Sequence, residues 1–393
     1  MSRIRFLLSF LATLLVSSAT ITGLTQSPAN ADIGSCLRPF SSTPATGLHY
    51  NDPWEKDYAA RRALMDRIAD TPAGGRIRVT IWKITDAGVT DCLIRARLRG
   101  VTVQVLMPDA HCNSYEAPRL RRALTGTSSW VHCVDQTPGA HTLHQKSIIF
   151  DKTGGVPYVT LVGSANMTNS AWQTQWNDYF EYAGLRSQDV FSWYAKRFNR
   201  LNTYRRSPSQ IGGQTSIAAD GRAGAWFLPR VADRAHDPEY VELNKLPNNS
   251  STRIRVAMFG MGGTRGNWLA TELIEKKKAG AQVYFIAGPS VSNAIKDRLK
   301  AARIPVHNGY RGPDCEGSNE DYTTGTCTFS HLKMWTAYWK SNGEENFRSY
   351  TGSDNWSLNT LRNFDVIQRI GGKGSYNDFY TLFQDIWDST RAY

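Results

Sequence analysis

The chain has 393 residues, of which 46 are Lys or Arg and 34 are Asp or Glu, so its formal net charge at neutral pH is +12. Hydrophobic residues make up 41% of the chain and charged residues 20%, with 32 Gly and 16 Pro. This composition excludes a disordered chain, a collagen and a coiled coil. At roughly 150 residues per domain, the length predicts about two domains, each able to bury a core.

The chain begins with a segment typical of a secretory signal peptide. Two arginines precede the apolar run 6–16, and a small-residue site that ends at Ala31 follows. An uncleaved membrane anchor fits less well, because this run is too short to cross a bilayer core of about 30 Å. We therefore predict that residues 1–31 are removed by cleavage before Asp32 and that the mature protein is secreted.

Six cysteines are compatible with export, because an even number in an oxidising compartment usually forms disulfides. Among the possible connectivities, proximity in the sequence favours Cys315 with Cys327 and then Cys112 with Cys133, which leaves Cys36 to pair with Cys92. The rival interpretation is a zinc site, but no C-x-x-C occurs in the chain. We therefore expect disulfides and no metal.

Two parts of the chain repeat one another in order. The sequence Arg-Ile-Arg-Val occurs at residues 76–79 and again at 253–256. In each copy a helix is predicted to end at a glycine, Gly100 or Gly280, and a buried strand to follow. Each copy closes on an amphipathic segment rich in aromatic residues: 190–201 and 379–388. Core packing best explains those aromatic residues.

Two motifs that can carry chemistry follow the same duplication. His-x-Lys occurs at His144 and Lys146 and again at His331 and Lys333. A Gly-Ser-x-Asn tetrapeptide comes after each, with these polar residues: Ser164, Asn166, Ser353 and Asn355. Both asparagines also begin a glycosylation sequon, but glycosylation does not explain the Gly-Ser before each.

Alternating strand and helix patterns in each copy predict an α/β sandwich, and the duplication predicts two such lobes that face each other. Residues 206–250 have the composition of a loop-rich connection. We place the boundary near residue 212, which gives an N-terminal lobe of residues 32–212 and a C-terminal lobe of residues 213–393. The active site is expected at their junction.

Each His-x-Lys motif lies at the start of a predicted hairpin. Centring the first hairpin on Gly154 places His144 opposite Ser164, and the second hairpin, centred on Asn342, repeats this arrangement. Two such clusters would supply a nucleophile, an acid for the leaving alkoxide and cations for the phosphoryl oxygens. The pattern therefore predicts phosphodiester cleavage without a metal, although a single His-x-Lys is weak support.

The segment His144-x-Lys146-x4-Asp151 followed by Gly-Ser164-x-Asn166 resembles the HKD signature of the phospholipase D superfamily. With the duplication, the resemblance covers nearly the whole chain after residue 31. It implies two pseudo-symmetric α/β lobes, each a mixed sheet flanked by helices, with one active site at their interface. It also implies a two-step mechanism without cofactors. One histidine attacks phosphorus to give a phosphohistidine, the other protonates the leaving alcohol, and water or another alcohol resolves the intermediate.

The second signature departs from the family pattern, because Tyr338 stands where the motif aspartate is expected. The place of Asp151 at a strand end suggests that it holds the turn and does not touch substrate, so its loss in one copy is tolerable. The family also has an acidic residue after Gly-Ser-x-Asn that orients a histidine. Asp178 and Asp365 stand at comparable distances, with ordinary solvated carboxylates as the alternative.

The resemblance implies roles for the remaining motif residues. The two histidines and two lysines are expected to be catalytic, with His144 as the nucleophile because its copy of the motif is complete. The serine and asparagine of each tetrapeptide are expected to bind the substrate phosphate.

The fold does not identify the substrate, since the superfamily contains phospholipases, nucleases and phosphatidyl transferases. A positive net charge attracts lipid and nucleic-acid phosphates alike. Five tryptophans flank the motifs: Trp172, Trp176, Trp335, Trp339 and Trp356. They are expected either to enter a lipid interface or to pack in the core.

We expect a secreted phospholipase D that acts on phospholipids at a membrane or micelle interface and releases phosphatidic acid and the head-group alcohol. Because the chain carries both copies of the motif, it is expected to be a monomer with no obligate protein partner. The alternatives are a secreted nuclease or phosphodiesterase acting on nucleic acid, and a non-catalytic protein that binds lipid or nucleic acid.

Overall fold

A computed structural model describes residues 36, 42–135, 142–312, 315 and 327–389. The expected signal peptide lies outside the described residues, as does the segment 316–326 between two of the cysteines.

The first half of the chain alternates strands with helices. Its strands are β1 (Gly47–Asp52), β2 (Asp57–Tyr58), β3 (Arg76–Thr80), β4 (Thr102–Pro108), β5 (Trp130–Val134), β6 (Ser147–Thr153), β7 (Val156–Gly163), β8 (Gln175–Trp176) and β9 (Asp178–Tyr182). Its helices are α1 (Ala59–Ala69), α2 (Ala87–Leu98), α3 (Asp109–Cys112), α4 (Ala117–Ala123), α5 (Asn169–Gln173) and α6 (Gln188–Thr203).

The second half repeats this alternation. Its strands are β10 (Gln214–Ile217), β11 (Ala223–Phe227), β12 (Arg253–Met261), β13 (Gln282–Val291), β14 (Val306–Asn308), β15 (Tyr310–Arg311), β16 (Thr328–Ser330), β17 (Lys333–Ser341), β18 (Glu344–Gly352) and β19 (Val366–Gly371). Its helices are α7 (Pro238–Asn244), α8 (Gly263–Lys278), α9 (Asn293–Ala301) and α10 (Lys373–Ser389).

Two large mixed sheets share the order of six strands and differ only in the chain order of the two strands at one edge. The first runs β2-β1-β9-β7-β6-β3-β4-β5 and the second β10-β11-β19-β18-β17-β12-β13-β14. In each sheet the last three strands are parallel to one another and the other neighbours are antiparallel. The predicted fold class, two pseudo-symmetric α/β units with mixed sheets and flanking helices, is confirmed.

Successive residues of the central strands face opposite cores, as the two-residue period of a strand requires. Ile148 of β6 packs in an outer core with α1 and α2, whereas its neighbour Ile149 faces a core between the two sheets. In β12, Val256 lies in the second outer core with α8, and Ala257 faces the central core. The amphipathic helices α6 and α10 contact strands of both sheets, so they lie between them.

Two glycines end helices where the sequence predicted it. Gly100 follows α2 at φ +92° and Gly280 follows α8 at φ +98°. This left-handed conformation carries no steric penalty for glycine and closes the last helical turn.

Both predicted hairpins form, but their register differs from the prediction by one residue. Ile148 faces Leu161 in the first hairpin, and Trp335 faces Tyr350 in the second. Each turn consists of two residues at positive φ, namely 154–155 and 342–343, so the centre falls between two residues and not on one. The predicted pairing of each histidine with a serine is therefore wrong. Both histidines precede the paired strands.

The predicted loop-rich connection at residues 206–250 is mostly turns and loops, but it also contains regular elements that the sequence did not indicate. This segment contains α7 and the strands β10 and β11, which belong to the second sheet. The strands are short and carry small residues, so their hydrophobic pattern is weak. β11 is nevertheless buried, because it pairs along its whole length with β19.

The structure joins the cysteines in the three predicted pairs. The disulfides connect Cys36 with Cys92, Cys112 with Cys133, and Cys315 with Cys327. The last pair packs with Phe259 and Phe329 in a small separate core. Three disulfides are consistent with an extracellular protein.

The five tryptophans that flank the motifs are all in the interior, with at most 8% of their surface exposed. Core packing is therefore the correct interpretation, and these side chains form no surface for insertion into lipid. Within the described ranges, no helix combines the length and the apolarity that crossing a membrane requires.

Candidate active site

At the site, backbone segments of one half form hydrogen bonds with backbone segments of the other half. β8 of the first half runs parallel to β16 of the second, with Gln175 opposite Phe329 and Trp176 opposite Ser330. The next residue, His331, donates its backbone N–H to the carbonyl of Trp176 over 3.0 Å. The first half therefore fixes the backbone of His331.

The reciprocal crossing fixes the other histidine. Leu143 forms a parallel bridge with Phe364, a residue of the second half that directly precedes Asp365. The backbone N–H groups of His144 and Gln145 both donate to the carbonyl of Phe364, over 3.1 Å and 2.8 Å. Each histidine is thus attached to the opposite half of the molecule.

The side chain that orients each imidazole also comes from the opposite half. Nδ1 of His144 lies 2.8 Å from Oδ1 of Asp365, and Nδ1 of His331 lies 2.9 Å from Oδ1 of Asn177. The amide group of Asn177 donates to the carbonyl of Ala171 and to Gln175, which fixes its oxygen towards the imidazole. Because both partner oxygens accept, Nδ1 carries a hydrogen in each ring and Nε2 is available for chemistry.

Asn177 and Asp365 occupy equivalent positions in the two halves. Each stands two residues before the residue, Tyr179 or Ile367, that pairs with the glycine of a Gly-Ser-x-Asn tetrapeptide. The expectation that Asp365 orients a histidine agrees with this geometry, whereas the prediction for Asp178 is wrong by one residue. The loop before this position is one residue longer in the first copy, which hides the equivalence in the sequence.

Asp178 instead connects the two halves behind the histidines. It is fully buried and accepts hydrogen bonds from the backbone of Ser164 over 3.0 Å and from its hydroxyl over 2.6 Å. The hydroxyl of Thr351, from the second half, donates to its other oxygen. Burial raises the pKa of Asp178, although the hydrogen bonds from Ser164 and Thr351 act in the opposite direction.

The polar residues of the two tetrapeptides divide into two kinds. Ser164 is occupied with Asp178, and the hydroxyl of Ser353 accepts a hydrogen bond from the backbone of Val366 over 3.1 Å. These buried hydroxyls, predicted to bind phosphate, brace neighbouring strands instead. The Oδ1 atoms of Asn166 and Asn355 are buried without a hydrogen-bond partner among the described residues. Because phosphate oxygens accept hydrogen bonds, phosphate binding by the two asparagines requires their amide N–H groups, and this role stays a prediction.

The two lysines have the same environment in each copy. Nζ of Lys146 donates to the carbonyl of His144 over 2.7 Å, and Nζ of Lys333 donates to the carbonyl of His331 over 2.7 Å. Both lysines are buried. Each ammonium group is therefore held beside its histidine, where positive charge can stabilise phosphoryl oxygens.

An aromatic ring packs edge-on against each imidazole. The ring centroid of Trp82 lies 5.5 Å from that of His144, and the centroid of Phe259 lies 4.6 Å from that of His331. Phe259 lies where the pairing of β12 with β13 shifts by one residue, between Met258 and Gly260, and irregularities of this kind redirect side chains. These apolar contacts, absent from the sequence prediction, help fix the orientation of the imidazoles.

The motif aspartate Asp151 does not orient a histidine and does not lie in the turn. It belongs to β6, and its carboxylate accepts a hydrogen bond from Arg78 over 2.8 Å. In the second copy, the guanidinium of Arg253 lies 5.2 Å from the ring centroid of Tyr338. Each residue thus forms a cross-strand contact with an arginine away from the histidines, which explains why aspartate is not required twice.

The first half carries additional polar groups near His144 that sequence reasoning missed. Trp82 also contacts His111, with ring centroids 4.5 Å apart. Nζ of the buried Lys83 lies 4.6 Å from the ring centroid of Tyr115, a side chain that is 61% exposed. The position equivalent to Lys83 in the second half is Gly260, so the site has an additional cation on one side only.

The charges of the site act strongly on His331. Burial lowers the pKa of His331 well below its usual value, and the positive charges of Lys333 and Lys146 lower it further, as does His144. A hydrogen bond with the backbone of Ser164 acts in the opposite direction. Within the described ranges, no group of three or more His, Cys, Asp or Glu side chains is arranged to hold a metal ion.

The comparison with protein families gives a match in the first half of the chain. Residues 67–202 match the family described as "Cardiolipin synthase, PLD-like domain", and this range includes His144, Lys146 and Asn177. The first half of the chain therefore contains a segment similar to a PLD-like domain. No protein among the curated sequences matches the chain.

Solved structures show similar folds at low sequence identity. Polyphosphate kinase from Porphyromonas gingivalis is 14% identical with a TM-score of 0.50, and the match covers 87% of this chain and 50% of that one. The phospholipase D family member Nuc from Salmonella typhimurium is 16% identical with a TM-score of 0.33, over 40% of this chain and 93% of Nuc. Yeast tyrosyl-DNA phosphodiesterase 1 is 13% identical with a TM-score of 0.49, over 83% and 89%. This chain therefore spans half the length of the kinase.

Proposed function

We propose that this protein is a phosphodiesterase that hydrolyses the distal phosphodiester bond of glycerophospholipids through a phosphohistidine intermediate. The observation that carries the chemistry is the pair of buried imidazoles, each held through Nδ1 by a residue of the opposite half. This arrangement directs two Nε2 atoms and two lysine ammonium groups to one site, which is what covalent phosphoryl transfer requires.

In the first step, Nε2 of His144 attacks phosphorus and the bond from phosphorus to the leaving oxygen breaks. The imidazole of His144 becomes positively charged when Nε2 is phosphorylated, and the carboxylate of Asp365 stabilises that charge through Nδ1. The leaving oxygen keeps the electron pair of the broken bond and takes a proton from Nε2 of His331. Lys146 and Lys333 stabilise the negative charge on the phosphoryl oxygens.

In the second step, His331 is neutral and acts as the base. Its Nε2 takes a proton from water while the water oxygen attacks phosphorus, and the bond from phosphorus to Nε2 of His144 breaks. The electron pair returns to His144, and His331 is left protonated beside the bound phosphomonoester product. The hydrogen on each Nδ1 remains in place throughout, donated to Asp365 by His144 and to Asn177 by His331.

A lipid substrate is supported by the resemblance of the duplicated signatures to those of secreted bacterial phospholipases D, in which one chain carries both copies. The three disulfides are consistent with the extracellular site of action that this assignment requires. The products would be phosphatidic acid and the free head-group alcohol.

A nucleic-acid substrate is the second candidate, and one feature favours it. Lys83 adds a cation beside the site, and the exposed ring of Tyr115 lies directly over it. An additional cation suits a substrate with several phosphates, and an exposed aromatic ring can stack on a base. The burial of the motif tryptophans also removes the lipid interface that they were expected to provide.

Parallel assays of the purified protein on two substrates test the proposal. We expect release of choline from phosphatidylcholine liposomes by the unchanged protein and none from the His144→Ala variant. Cleavage of single-stranded DNA with no lipid hydrolysis would replace the lipid assignment by the nucleic-acid one. Absence of both activities would contradict the phosphodiesterase assignment.

A further inference from the structure

Asn177 breaks the symmetry of the site at the position where symmetry would matter most for proton transfer. The equivalent residue in the second half, Asp365, places a negative charge on Nδ1 of His144, whereas Asn177 offers His331 an amide oxygen. The two oxygens lie at nearly the same distance from their imidazoles, 2.8 Å and 2.9 Å. The two histidines therefore have the same orientation restraint but different electrostatic surroundings.

The amide group is held in place and cannot reverse its role. Its nitrogen donates to the carbonyl of Ala171 over 3.0 Å and to Gln175 over 2.9 Å, and its oxygen also accepts from the hydroxyl of Ser164 over 3.0 Å. All of these groups are neutral, and Asn177 is fully buried. Nothing in this hydrogen-bond cluster offsets a positive charge on His331.

The charged groups around His331 are positive on the sides that face it. Lys333 follows it at the start of its own strand, and Lys146 and His144 face it from the first half. The two acidic residues of the site are engaged elsewhere, because Asp365 pairs with His144 and Asp178 pairs with Ser164 and Thr351. From β12, the neighbouring side chain is the uncharged ring of Phe259. A protonated His331 in the empty site would therefore add a further cation to a buried cluster of positive charges.

We propose that Asn177 is a positioning residue that keeps His331 neutral in the empty site, so that His331 takes up its catalytic proton together with the anionic phosphodiester. The bound phosphate supplies the negative charge that a carboxylate at position 177 would otherwise supply. The proton enters on Nε2, because Nδ1 already carries the hydrogen bonded to Asn177. The low pKa of His331, caused by burial and the two lysines, agrees with this arrangement.

This inference rests on the proposed function for the use of the proton, but its test requires only binding of an anion. Sulfate is a suitable probe, since it resembles a phosphoryl group, is not hydrolysed and does not change its protonation near neutral pH. Calorimetry at pH 7 in buffers with different ionisation enthalpies gives the number of protons taken up per sulfate bound. We expect uptake approaching one proton in the unchanged protein and little or none in the His331→Ala variant.

Two further variants separate positioning from a merely structural role. Asn177→Asp supplies the missing charge, so His331 is expected to be protonated before sulfate binds and proton uptake is expected to fall. Asp365→Asn is the matched control, because it makes the same exchange in reverse at the other histidine and should leave uptake by His331 in place. An NMR titration of the empty protein should show a higher pKa for His331 in Asn177→Asp than in the unchanged protein.

Several results would overturn the proposal. They are sulfate binding without proton uptake, no sulfate binding at all, or equal uptake in the unchanged and His331→Ala proteins. The first two measurements use the unchanged protein and His331→Ala, so they decide the matter even if Asn177→Asp does not fold. A protein that takes up a proton with sulfate but hydrolyses neither lipid nor nucleic acid would contradict the proposed function and leave this inference standing.

Discussion

The chemistry of this site depends on two histidines whose Nδ1 atoms have different partners. A carboxylate beside Nδ1 stabilises the positive charge of a phosphorylated imidazole, and His144 has such a partner in Asp365. His331 is held by the amide of Asn177 and faces two lysines. We therefore assign the covalent step to His144 and proton transfer to His331.

The effect of replacing His331 on the rate of cleavage should depend on the leaving group. General acid catalysis typically contributes 10² to 10⁴ in rate, so His331→Ala should slow cleavage of alkyl diesters by about that factor. Nitrophenolate leaves without protonation, so the same variant should still release one equivalent of it from bis(p-nitrophenyl) phosphate in a stopped-flow burst. His144→Ala should lose both reactions. A burst in His144→Ala, or none in His331→Ala, would reverse the assignment.

Activity should require the two buried lysines and should not require a divalent metal. Replacing Lys146 or Lys333 by Met removes a cation from the site and should lower kcat by about 10²- to 10³-fold, by analogy with loss of an oxyanion-hole donor. Excess EDTA should leave activity unchanged. Lys152→Met, at an exposed position of β6, is the control. Reversible loss of activity on chelation would mean that a metal performs the role assigned to the lysines.

At the scale of elements, the structure explains how strands deliver these residues. The disulfide between Cys315 and Cys327 packs with Phe259 and Phe329, and both rings contact His331. β16 then enters the site parallel to β8. The disulfide therefore helps to hold His331 in position through these two rings.

Removing this disulfide should affect both stability and catalysis. The double Cys→Ser variant at positions 315 and 327 is expected to lose about 3 kcal/mol of unfolding free energy by the chain-entropy estimate, together with a lower kcat. The control is the equivalent double variant at positions 36 and 92, whose disulfide lies in the first outer core. It should lower stability and keep kcat in the folded protein. Equal kcat in both variants, measured below their melting temperatures, would disprove the link to His331.

Behind the second motif, α7 places a carboxyl group in the interior. Burial, followed by the charge of Asp354, raises the pKa of Glu239 to about 8. As pH rises from the usual value of 4.5 to about 8, the unfolded chain releases this proton while the folded protein keeps it, so stability falls. Glu239→Gln keeps an acceptor for the indole of Trp335 and removes this loss.

The melting temperature of Glu239→Gln relative to the unchanged protein should therefore be higher at pH 8 than at pH 5. Glu345→Gln, at an exposed position of β18, is the control and should show no such pH dependence. The same difference at both pH values would show that Glu239 is already ionised in the fold.

Local patterns predicted the elements, the duplication and the pairs of cysteines. They failed where a structural detail shifts by one residue. The hairpin prediction gave the wrong register because a two-residue turn has no central residue. Asp178 was predicted in place of Asn177 because a carboxylate is the more familiar partner of a histidine. The burial of Trp176 and the entry of β11 into a sheet depend on contacts between the halves, which local patterns do not contain.

At the scale of the whole molecule, the duplication makes one site that neither half contains alone. Asp365 reaches His144 from the second half, and Asn177 reaches His331 from the first. Six strands of the two sheets repeat in the same order, yet the site is asymmetric in charge, in the additional Lys83 and in its histidine partners. That asymmetry gives the two imidazoles different roles: one forms the bond to phosphorus and the other exchanges protons.

Trapping the covalent intermediate tests this assignment of roles to the two histidines. The His331→Ala variant would be mixed with bis(p-nitrophenyl) phosphate, quenched in alkali to preserve phosphohistidine, digested and mapped by mass spectrometry. We predict a nitrophenyl phosphate adduct on His144 in this variant and none in His144→Ala. An adduct on any other residue, or release of nitrophenolate with no adduct, would contradict the mechanism.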